Sequence, residues 1–357
     1  SHCLRSLLIS YFLLKKVKSV HTVHNNPTLQ SIALHGKIIG KITSKIIYFI
    51  LSKIDVPVSC SESVRQQLEY SDIFSVRAIP NGIAQSIGNK DQKKTQKELN
   101  LDCNFKYFIS VGRFSPEKNF ELLVNAFLAA NIPNTKLILL GDGKMMDAVK
   151  EISNENILLM GFKQNVSDYL AASDYYLSAS LTEGMPLSVL EALAQGLPVA
   201  LSDIPPHREI LNKGGKFGFS FPVNNIQETT SIIKKLYNSN YNELKENAKL
   251  VFLEYFTAER MSTDYQNLYK DYMGKILITG ASGFIGANVL EYFVKKKHEI
   301  LNIDLNPPQD SKHYEYWKKI DITNSFELEK VILNFNPNYV VHLAARTDLD
   351  GKTLDEY

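Results

Sequence analysis

The stretch from Asp174 to Asp203 reads DYYLSASLTEGMPLSVLEALAQGLPVALSD, and its alternation of apolar and polar segments indicates the class of fold. An apolar run, a polar loop, a helical segment and a second apolar run follow one another, which predicts strand, loop, helix and strand. Pro186 suits the first turn of that helix, and Gly196 suits its C-terminal stop. The stretch therefore predicts a βαβ unit of a parallel sheet, with a helix that begins just after Glu183 and Gly184.

Similar apolar runs alternate with helical patterns along the whole chain, which predicts an α/β protein with parallel sheets. They are VKSVHTVH (17–24), DVPVSCS (55–61), KYFISVG (106–112), TKLILLG (135–141), ENILLMG (155–161), KILITGA (275–281), HEILNID (298–304) and YVVHLAA (339–345). A polar connection at 84–103 and a helical pattern that ends at Tyr272 mark two boundaries. We expect three domains: 1–88, 89–272 and 273–357, where Met273 resembles an initiator methionine.

Composition narrows the class of protein. The 357 residues contain 40 Lys and Arg against 38 Asp and Glu, so no global charge attracts nucleic acid. Cys3, Cys60 and Cys103 are widely spaced and odd in number, which fits neither a disulfide framework nor a zinc site. The apolar run Leu7–Leu14 is too short to span a bilayer and lacks a cleavage site. We expect a cytoplasmic protein that lacks part of its natural N-terminus, since the chain opens without Met.

The start of the helix after Gly184 has the properties of an anion site. Free N–H groups and the helix dipole favour a phosphate there, and a glycine allows close approach to the backbone. Glu191 lies little more than a turn inside the helix among apolar neighbours, where ribose hydroxyls are suitable hydrogen-bond donors. Glu183, at the loop tip, would face the other end of the ligand. The alternative from this segment alone is that both glutamates are solvated surface residues.

A second motif, Val111–Asn119, falls where a strand ends and a helix begins. Its sequence is VGRFSPEKN, which places Arg113 and Lys118 at the carboxyl end of a strand, where α/β sheets bind ligands. Two cations there can neutralise a diphosphate, and they would stabilise the charge that grows on it as a leaving group. Ordinary surface ion pairing explains the two residues equally well when they are taken alone.

The order of four motifs resembles retaining glycosyltransferases of family four, whose GT-B fold has two Rossmann-like domains. The motifs are GRFSPEK (112–118), LLGDG (139–143), GF (161–162) and EGMPLSVLEALAQGLPVA (183–200). The resemblance runs from about His21 to Met273 and implies that a UDP- or GDP-sugar binds without metal or cofactor. It implies that Arg113 and Lys118 hold the diphosphate, Glu191 the ribose and Glu183 the transferred sugar, with backbone N–H groups around Gly184, Met185, Pro186 and Leu187 completing the cradle.

In that family the first domain binds the acceptor, and here only its later part is present. The resemblance implies that His24, at the end of a strand, contacts the reacting groups; a structural histidine is the alternative. Lys37–Lys53 reads KIIGKITSKIIYFILSK, with lysines four apart beside isoleucines. Such a basic amphipathic helix can rest on anionic lipid and meet a lipid-linked acceptor. A packed helix with a solvated lysine edge is the alternative reading.

The C-terminal segment opens with a strand, a glycine-rich turn and a helix start at Lys275–Gly286. The acidic Asp304 ends the next strand, which suits the ribose of NAD. The segment resembles the extended short-chain dehydrogenases, which include the sugar-nucleotide epimerases and dehydratases. That resemblance implies NAD contacts from Gly280, Gly283, Phe284, Ile285, Gly286, Asp304, Asp321, Ile322, Ala344 and Ala345. Tyr314 and Lys318 have the spacing of the family's catalytic pair but come too early in the unit, so we expect this part to be incomplete.

The sequence therefore predicts a retaining glycosyltransferase of surface polysaccharide synthesis, acting on a glycan or lipid-linked acceptor and joined to a truncated NAD-binding unit. One alternative is an NAD-dependent sugar-nucleotide epimerase or dehydratase as the main activity. Another is a nucleotide-binding module without catalysis, because we expect the amino-terminal third of the acceptor domain to be absent. A glycosidase that uses Glu183 and Glu191 explains less, because hydrolysis does not require Arg113 or Lys118.

Overall fold

The computed structural model describes residues 18–71, 73, 76–84, 91–269, 274–296 and 298–344. They separate into two compact units. Unit 1 contains the chain up to Pro80 and from Glu259 onward, and unit 2 contains Asn81–Ala258. Each unit is an α/β structure in which all neighbouring strands of the sheet are parallel. The expected fold class, α/β with Rossmann-like parallel sheets, is confirmed.

Unit 2 is a six-stranded sheet in the order β6-β5-β4-β7-β8-β9. Its strands are β4 (Lys106–Val111), β5 (Thr135–Leu140), β6 (Ile157–Gly161), β7 (Tyr175–Ser178), β8 (Val199–Ser202) and β9 (Gly218–Phe221). Its helices are α4 (Gln92–Glu98), α5 (Phe120–Ala130), α6 (Met146–Glu151), α7 (Val166–Ala172), α8 (Leu187–Ala194), α9 (Pro205–Leu211), α10 (Ile226–Tyr237) and α11 (Tyr241–Tyr255).

The strand order of unit 2 places its functional motifs together. The chain moves outward from β4 to β6, then returns to the other side of β4 with β7. Such a reversal opens a crevice at the carboxyl ends of the two strands that flank it, which here are β4 and β7. Both strands are buried on both faces, as their apolar runs predict. Arg113 and Lys118 follow β4 and Glu183 follows β7, so the fold brings the two motifs to one edge.

Unit 1 is a seven-stranded sheet in the order β12-β11-β10-β13-β1-β2-β3. Its strands are β1 (Lys18–Val23), β2 (Val56–Ser59), β3 (Arg77–Ala78), β10 (Lys275–Thr279), β11 (Glu299–Asp304), β12 (Trp317–Lys319) and β13 (Tyr339–His342). Its helices include α1 (Pro27–His35), α2 (Lys37–Leu51), α3 (Glu62–Glu69), α13 (Phe284–Lys295) and α14 (Ser325–Phe335), and α12 (Ala258–Tyr269) begins at the boundary with unit 2.

The sheet of unit 1 joins two segments that the sequence analysis assigned to separate domains. Strand β13 pairs with β10 on one side and with β1 on the other, where Val341 lies opposite Val20. One apolar core contains Val58 of the first segment together with Ile278 and Val341 of the second. The physical reason is the bare edge that each segment would otherwise present, with a row of unpaired N–H and C=O groups. The expected domains 1–88 and 273–357 thus contribute to one sheet.

One helix boundary also differs from the expectation. The sequence pattern predicts a single helix from Tyr255 to Tyr272, but α11 ends at Tyr255 and α12 begins at Ala258. Ile83 accounts for the break, because it forms a parallel bridge with Thr257, and its N–H donates to the carbonyl of Phe256. Residues 270–273, Ala345, Cys3 and the run 7–14 lie outside the described residues. Within the described part, no helix combines the length and apolar character needed to cross a bilayer.

Candidate active site

The loop between β7 and α8 carries Glu183. After the loop, Gly184, Met185 and Pro186 are buried, and α8 begins at Leu187 with Pro186 immediately before it. The helix therefore starts two residues later than the position just after Gly184 that its sequence predicts. Pro186 provides no side-chain hydrogen bond to the helix N-terminus. The first turn of α8 thus has the backbone donors and dipole that favour an anion.

Lys118 and Glu183 form an ion pair. Lys118 ends a short 3-10 helix after β4, and the backbone N–H of Leu181 donates to the carbonyl of Glu117 at 2.8 Å, which ties that turn to the Glu183 loop. The Lys118 Nζ donates to Glu183 Oε1 at 2.5 Å, with side chains 23% and 13% exposed. The two predicted site residues are therefore direct partners, and the charge of Lys118 is balanced by a carboxylate.

Arg113 lies on an exposed turn between the ends of β4 and β5. The turn is fixed by backbone hydrogen bonds from Gly112 N–H to Leu140 O and from Phe114 N–H to Asp142 O. Gly141 has φ +131°, and a Cβ there would lie 1.9 Å from the carbonyl oxygen of Gly112. Only glycine fits at this position. The two strand ends are consequently in backbone contact, and this contact holds Arg113 at the carboxyl edge of the sheet.

Glu191 is partly buried on α8, between Leu190 and Ala192, which are fully buried. Burial raises the pKa of its carboxyl above the usual glutamate value. Tyr176 lies beneath this region and donates its hydroxyl to Ser188 Oγ at 2.9 Å. Burial raises the pKa of Tyr176, and the charges of Glu183 and Glu191 add to the rise. Tyr176 is therefore a neighbour of both glutamates that the sequence analysis did not identify.

His207 is a second residue that the sequence analysis missed. It lies on α9 just after β8 and is fully buried. Its Nδ1 is 2.9 Å from the carbonyl oxygen of Ser202, which fits an Nδ1–H tautomer. Its Nε2 is buried and has no hydrogen-bond partner among the residues that the structure describes. Burial lowers the pKa of His207 to about 4, while the charges of Glu183 and Lys118 act on it in opposite directions. The sequence signal that could have indicated His207 is its position just past the carboxyl end of a strand, where α/β sheets bind ligands.

His24 belongs to unit 1, at the carboxyl end of β1. Its side chain is partly buried, and burial lowers its pKa to about 4, so the imidazole is neutral near pH 7. Its carbonyl oxygen accepts a hydrogen bond from Cys60 Sγ at 3.2 Å, which links the ends of β1 and β2. The donor-site residues and Glu183 belong to unit 2.

The glycine-rich turn of the C-terminal segment is formed as its sequence predicts. Gly280 has φ +76°, and a Cβ there would lie 2.5 Å from the backbone nitrogen of Ala344. A Cβ on Gly286 would lie 2.3 Å from the carbonyl oxygen of Gly280, whereas one on Gly283 would meet only that oxygen, at 3.5 Å. Gly283 thus leaves room above the turn, at the N-terminus of α13.

The acidic side chain of Asp304 stabilises this turn. The Ser282 N–H donates to Asp304 Oδ2 at 3.0 Å, so the residue expected to bind ribose also holds the turn. Asp321 instead accepts hydrogen bonds from the backbone and hydroxyl of Thr323, and Ile322 packs against the core beside α14. Phe284 is half exposed and Ile285 is partly buried at the first turn of α13.

Two family models match the chain. Residues 91–251 match "Glycosyl transferases group 1", and residues 276–355 match "NAD dependent epimerase/dehydratase family". The UDP-Gal:alpha-D-GlcNAc-diphosphoundecaprenol alpha-1,3-galactosyltransferase of Escherichia coli is 29% identical over 218 residues, which are 57% of this chain and 56% of that protein. The chain thus spans little more than half the length of this relative.

Solved structures share the fold. Sucrose-phosphate synthase from Thermosynechococcus elongatus superposes with a TM-score of 0.67 at 20% identity, over 74% of this chain and 71% of that one. Anabaena HepE in complex with UDP and glucose gives a TM-score of 0.63 at 18% identity, over 74% of each chain. Residues 91–251 thus match the glycosyl transferases group 1 family, and the C-terminal segment matches the NAD dependent epimerase/dehydratase family.

Proposed function

We propose that the chain transfers a sugar from a nucleotide-sugar donor to a glycan or lipid-linked acceptor, with retention, in the synthesis of a surface polysaccharide. The observation that carries this function is the Lys118–Glu183 pair beside the first turn of α8, in a region that matches the glycosyl transferases group 1 family. The Escherichia coli relative is named for a UDP-sugar donor and a lipid diphosphate acceptor, which supports the same substrate classes.

The diphosphate would bind at the first turn of α8. The backbone N–H groups of Gly184, Met185 and Leu187 supply donors, and Arg113 supplies a full positive charge. Lys118 contributes as well, because an ammonium has three N–H donors and Glu183 takes only one of them. As the bond between sugar and diphosphate breaks, negative charge grows on the leaving oxygen, and these fixed donors would stabilise it more than the ground state.

The two glutamates would then act on different parts of the donor. Glu183 has one carboxylate oxygen engaged with Lys118, and its second oxygen can accept a hydroxyl of the transferred sugar. Glu191 would accept the ribose hydroxyls, which offset the cost of keeping its carboxylate charged in a partly buried place. His24, whose imidazole is neutral near pH 7, is the residue that we propose as the histidine contact to the reacting groups.

The C-terminal segment supports a second candidate, dinucleotide binding. The open space above Gly283 and the N-terminus of α13 fit a pyrophosphate, and Asp304 retains acceptor capacity for ribose. NAD bound there would supply a hydride acceptor. Phe284, Ile285, Ala344, Asp321 and Ile322 are the further residues of this segment that we propose as contacts. We propose that this segment binds the dinucleotide but does not catalyse a reaction with it. The reason is that Tyr314, which with Lys318 has the spacing of the catalytic pair, lies on an exposed 3-10 helix before β12.

A calorimetric and transfer experiment tests the proposed function. UDP, GDP and their sugars are titrated into the wild-type chain, Glu191→Ala and the double variant Arg113→Ala/Lys118→Ala, with Glu254→Ala on the exposed face of α11 as a matched control. We expect tight binding to the wild type and control, and binding weakened well over about tenfold in the other two. Unchanged affinity in Glu191→Ala would contradict the ribose role.

Transfer to a lipid diphosphate-linked sugar is then measured with the donor that binds. Nucleotide binding without transfer would favour a module without catalysis over the enzyme. Turnover of a nucleotide sugar that requires NAD would favour the epimerase or dehydratase.

We propose a cytoplasmic location, peripheral to the inner face of a membrane, because a lipid-linked acceptor is presented there.

A further inference from the structure

Helix α2 exposes its most apolar side chains. Ile38 is 78% exposed, and Ile39, Ile42, Ile46 and Phe49 are exposed by 60%, 57%, 48% and 56%. Scattered exposed apolar residues are ordinary in proteins, but five on one helix of 15 residues form a patch. The sequence alternative of a packed helix with only a solvated lysine edge therefore does not describe α2.

The packing of α2 fixes this orientation. The helix turns Gly40 and Ser44 toward the protein, and a Cβ on Gly40 would lie 2.5 Å from the Cα of Ile32 on α1. The two helix backbones therefore touch, and no side chain larger than hydrogen fits at that contact. Rotating α2 to bury the isoleucines would force one of them into this space. The exposed apolar face is a consequence of close packing on the opposite face.

Positive charge borders the apolar patch. Lys37, Lys41 and Lys45 are exposed, and Lys53 places its Nζ 5.7 Å from the centre of the Phe49 ring. At about 100° per residue, the five apolar side chains span about 100° of the helix circumference and the three lysines span the adjoining arc. The helix contains no Asp or Glu. An apolar face and an edge of three exposed lysines thus lie side by side on α2, and the helix itself has no acidic residue to balance them.

We propose that this face, the α2 patch of Ile38, Ile39, Ile42, Ile46 and Phe49 with its lysine edge, docks on an anionic lipid bilayer. The apolar side chains would enter the boundary between headgroups and acyl chains, and the lysines would reach the phosphates with their stems along the surface. At one depth of the bilayer, the apolar side chains can contact acyl chains while the lysines contact phosphates. The patch deepens the proposed peripheral location and stands without the transfer activity.

Other occupants fit the charges less well. Lysine is depleted in protein interfaces, above all in their buried core, where its charge is costly to desolvate. A second copy of the chain would bring another α2 that carries lysines and no carboxylate to oppose them. An anionic bilayer opposes all of the lysines at once, and each basic residue near such a surface adds to the attraction.

Vesicle flotation with the full chain tests the proposal. The probes are vesicles of phosphatidylcholine alone and of phosphatidylcholine with phosphatidylglycerol. The first variant is Ile38→Ser/Ile42→Ser/Ile46→Ser, and the second is Lys37→Gln/Lys41→Gln/Lys45→Gln. The matched control is Leu250→Ser/Leu253→Ser on α11, whose side chains are 60% and 45% exposed in unit 2.

We expect the wild type and the control to float with the anionic vesicles. Each α2 variant should bind these vesicles at least about tenfold more weakly than the wild type. Binding to pure phosphatidylcholine should be weaker for every protein, and added salt should weaken the anionic binding. The lysine variant decides the matter if the serine variant folds poorly. The proposal is overturned if the wild type does not bind the anionic vesicles, or if the lysine variant binds them as strongly as the wild type does. It is also overturned if the chain forms a dimer that the serine variant alone dissociates.

Discussion

The Lys118 ammonium donates to the Glu183 carboxylate across 2.5 Å, joining the turn after β4 to the loop after β7. Both side chains are mostly shielded from water, so each neutralises a charge that would be costly alone. The pair also positions the Glu183 carboxylate, because the ammonium holds one oxygen and leaves the other for a ligand.

Removing one member of the Lys118–Glu183 pair should destabilise unit 2 more than removing both. Lys118→Met leaves a shielded carboxylate without its ammonium partner, and Glu183→Gln leaves the ammonium without its carboxylate. The double variant leaves neither charge in place. We expect a coupling free energy of about 1–2 kcal/mol from urea unfolding of the four proteins. The control cycle is Lys275–Glu299, whose side chains are 42% and 58% exposed at 2.9 Å. Its coupling should be near zero, and additive effects at Lys118 and Glu183 would contradict the pairing.

Glu191→Gln should stabilise the unliganded chain while weakening nucleotide binding. Burial raises the folded pKa of Glu191 above its unfolded value, so this carboxyl favours folding below the usual glutamate pKa and loses that contribution as pH rises through the raised value. At neutral pH the variant avoids the cost of a partly buried charge. Denaturation midpoints near pH 5 and near pH 8 measure the effect. Calorimetry with the nucleotide measures the loss of binding, and a variant that binds normally would remove Glu191 from the site.

His207 should make unit 2 labile to acid. Its folded pKa of about 4 lies below the usual value of 6.5, so the unfolded chain takes up a proton first. The stability is complete above about pH 6.5 and is lost as pH falls toward 4, by about 3 kcal/mol for this group. His207→Asn, which retains a donor toward the Ser202 carbonyl, should flatten the profile of unfolding free energy against pH. A profile as steep as that of the wild type would mean that the lability comes from other groups.

Local sequence patterns predicted the parts of the fold that depend on local structure. Strands β4 and β7 are apolar runs bounded by turn residues, and both form where the sequence places them. Strand β3, with only Arg77 and Ala78, and β12, with Trp317 and two lysines, carry no apolar pattern. They are strands because a neighbouring strand offers hydrogen bonds to them, and that information is tertiary. The same holds for the pairing of β1 with β13, far apart in the chain.

The candidate site shows the same limit. Motif spacing placed Lys118 and Glu183 at one edge of the sheet, but it did not show that they pair, because the distance between two side chains depends on the loops between them. His207 has no pattern of its own, and its environment exists only after β8 and α9 have packed. Tyr176 lies inside an ordinary buried strand, and only the position of its hydroxyl distinguishes it from a core residue.

Unit 1 should fold only when both of its segments are present. Strand β1 pairs with β13, and Val58 shares a core with Ile278 and Val341. A chain that ends at Tyr269 loses β10 to β13 and leaves β1 with a bare edge. Hydrogen exchange should show loss of amide protection in β1 and β2, while β4 to β9 of unit 2 remain protected. Unchanged protection in β1 and β2 would show that the first segment folds alone.

Gly283→Ala should weaken dinucleotide binding without disturbing the fold. An alanine Cβ at this position would meet only the Gly280 carbonyl oxygen, at an ordinary 3.5 Å, and the residue already has φ −78°. The chain therefore has space for the methyl group, but a pyrophosphate that approaches the turn does not. The fluorescence of bound NADH measures affinity, and the thermal midpoint reports on the fold. Gly286→Ala is the contrasting variant, because its Cβ would lie 2.3 Å from the Gly280 carbonyl oxygen and should lower the thermal midpoint as well. If Gly283→Ala binds NADH as the wild type does, the dinucleotide does not lie over this turn.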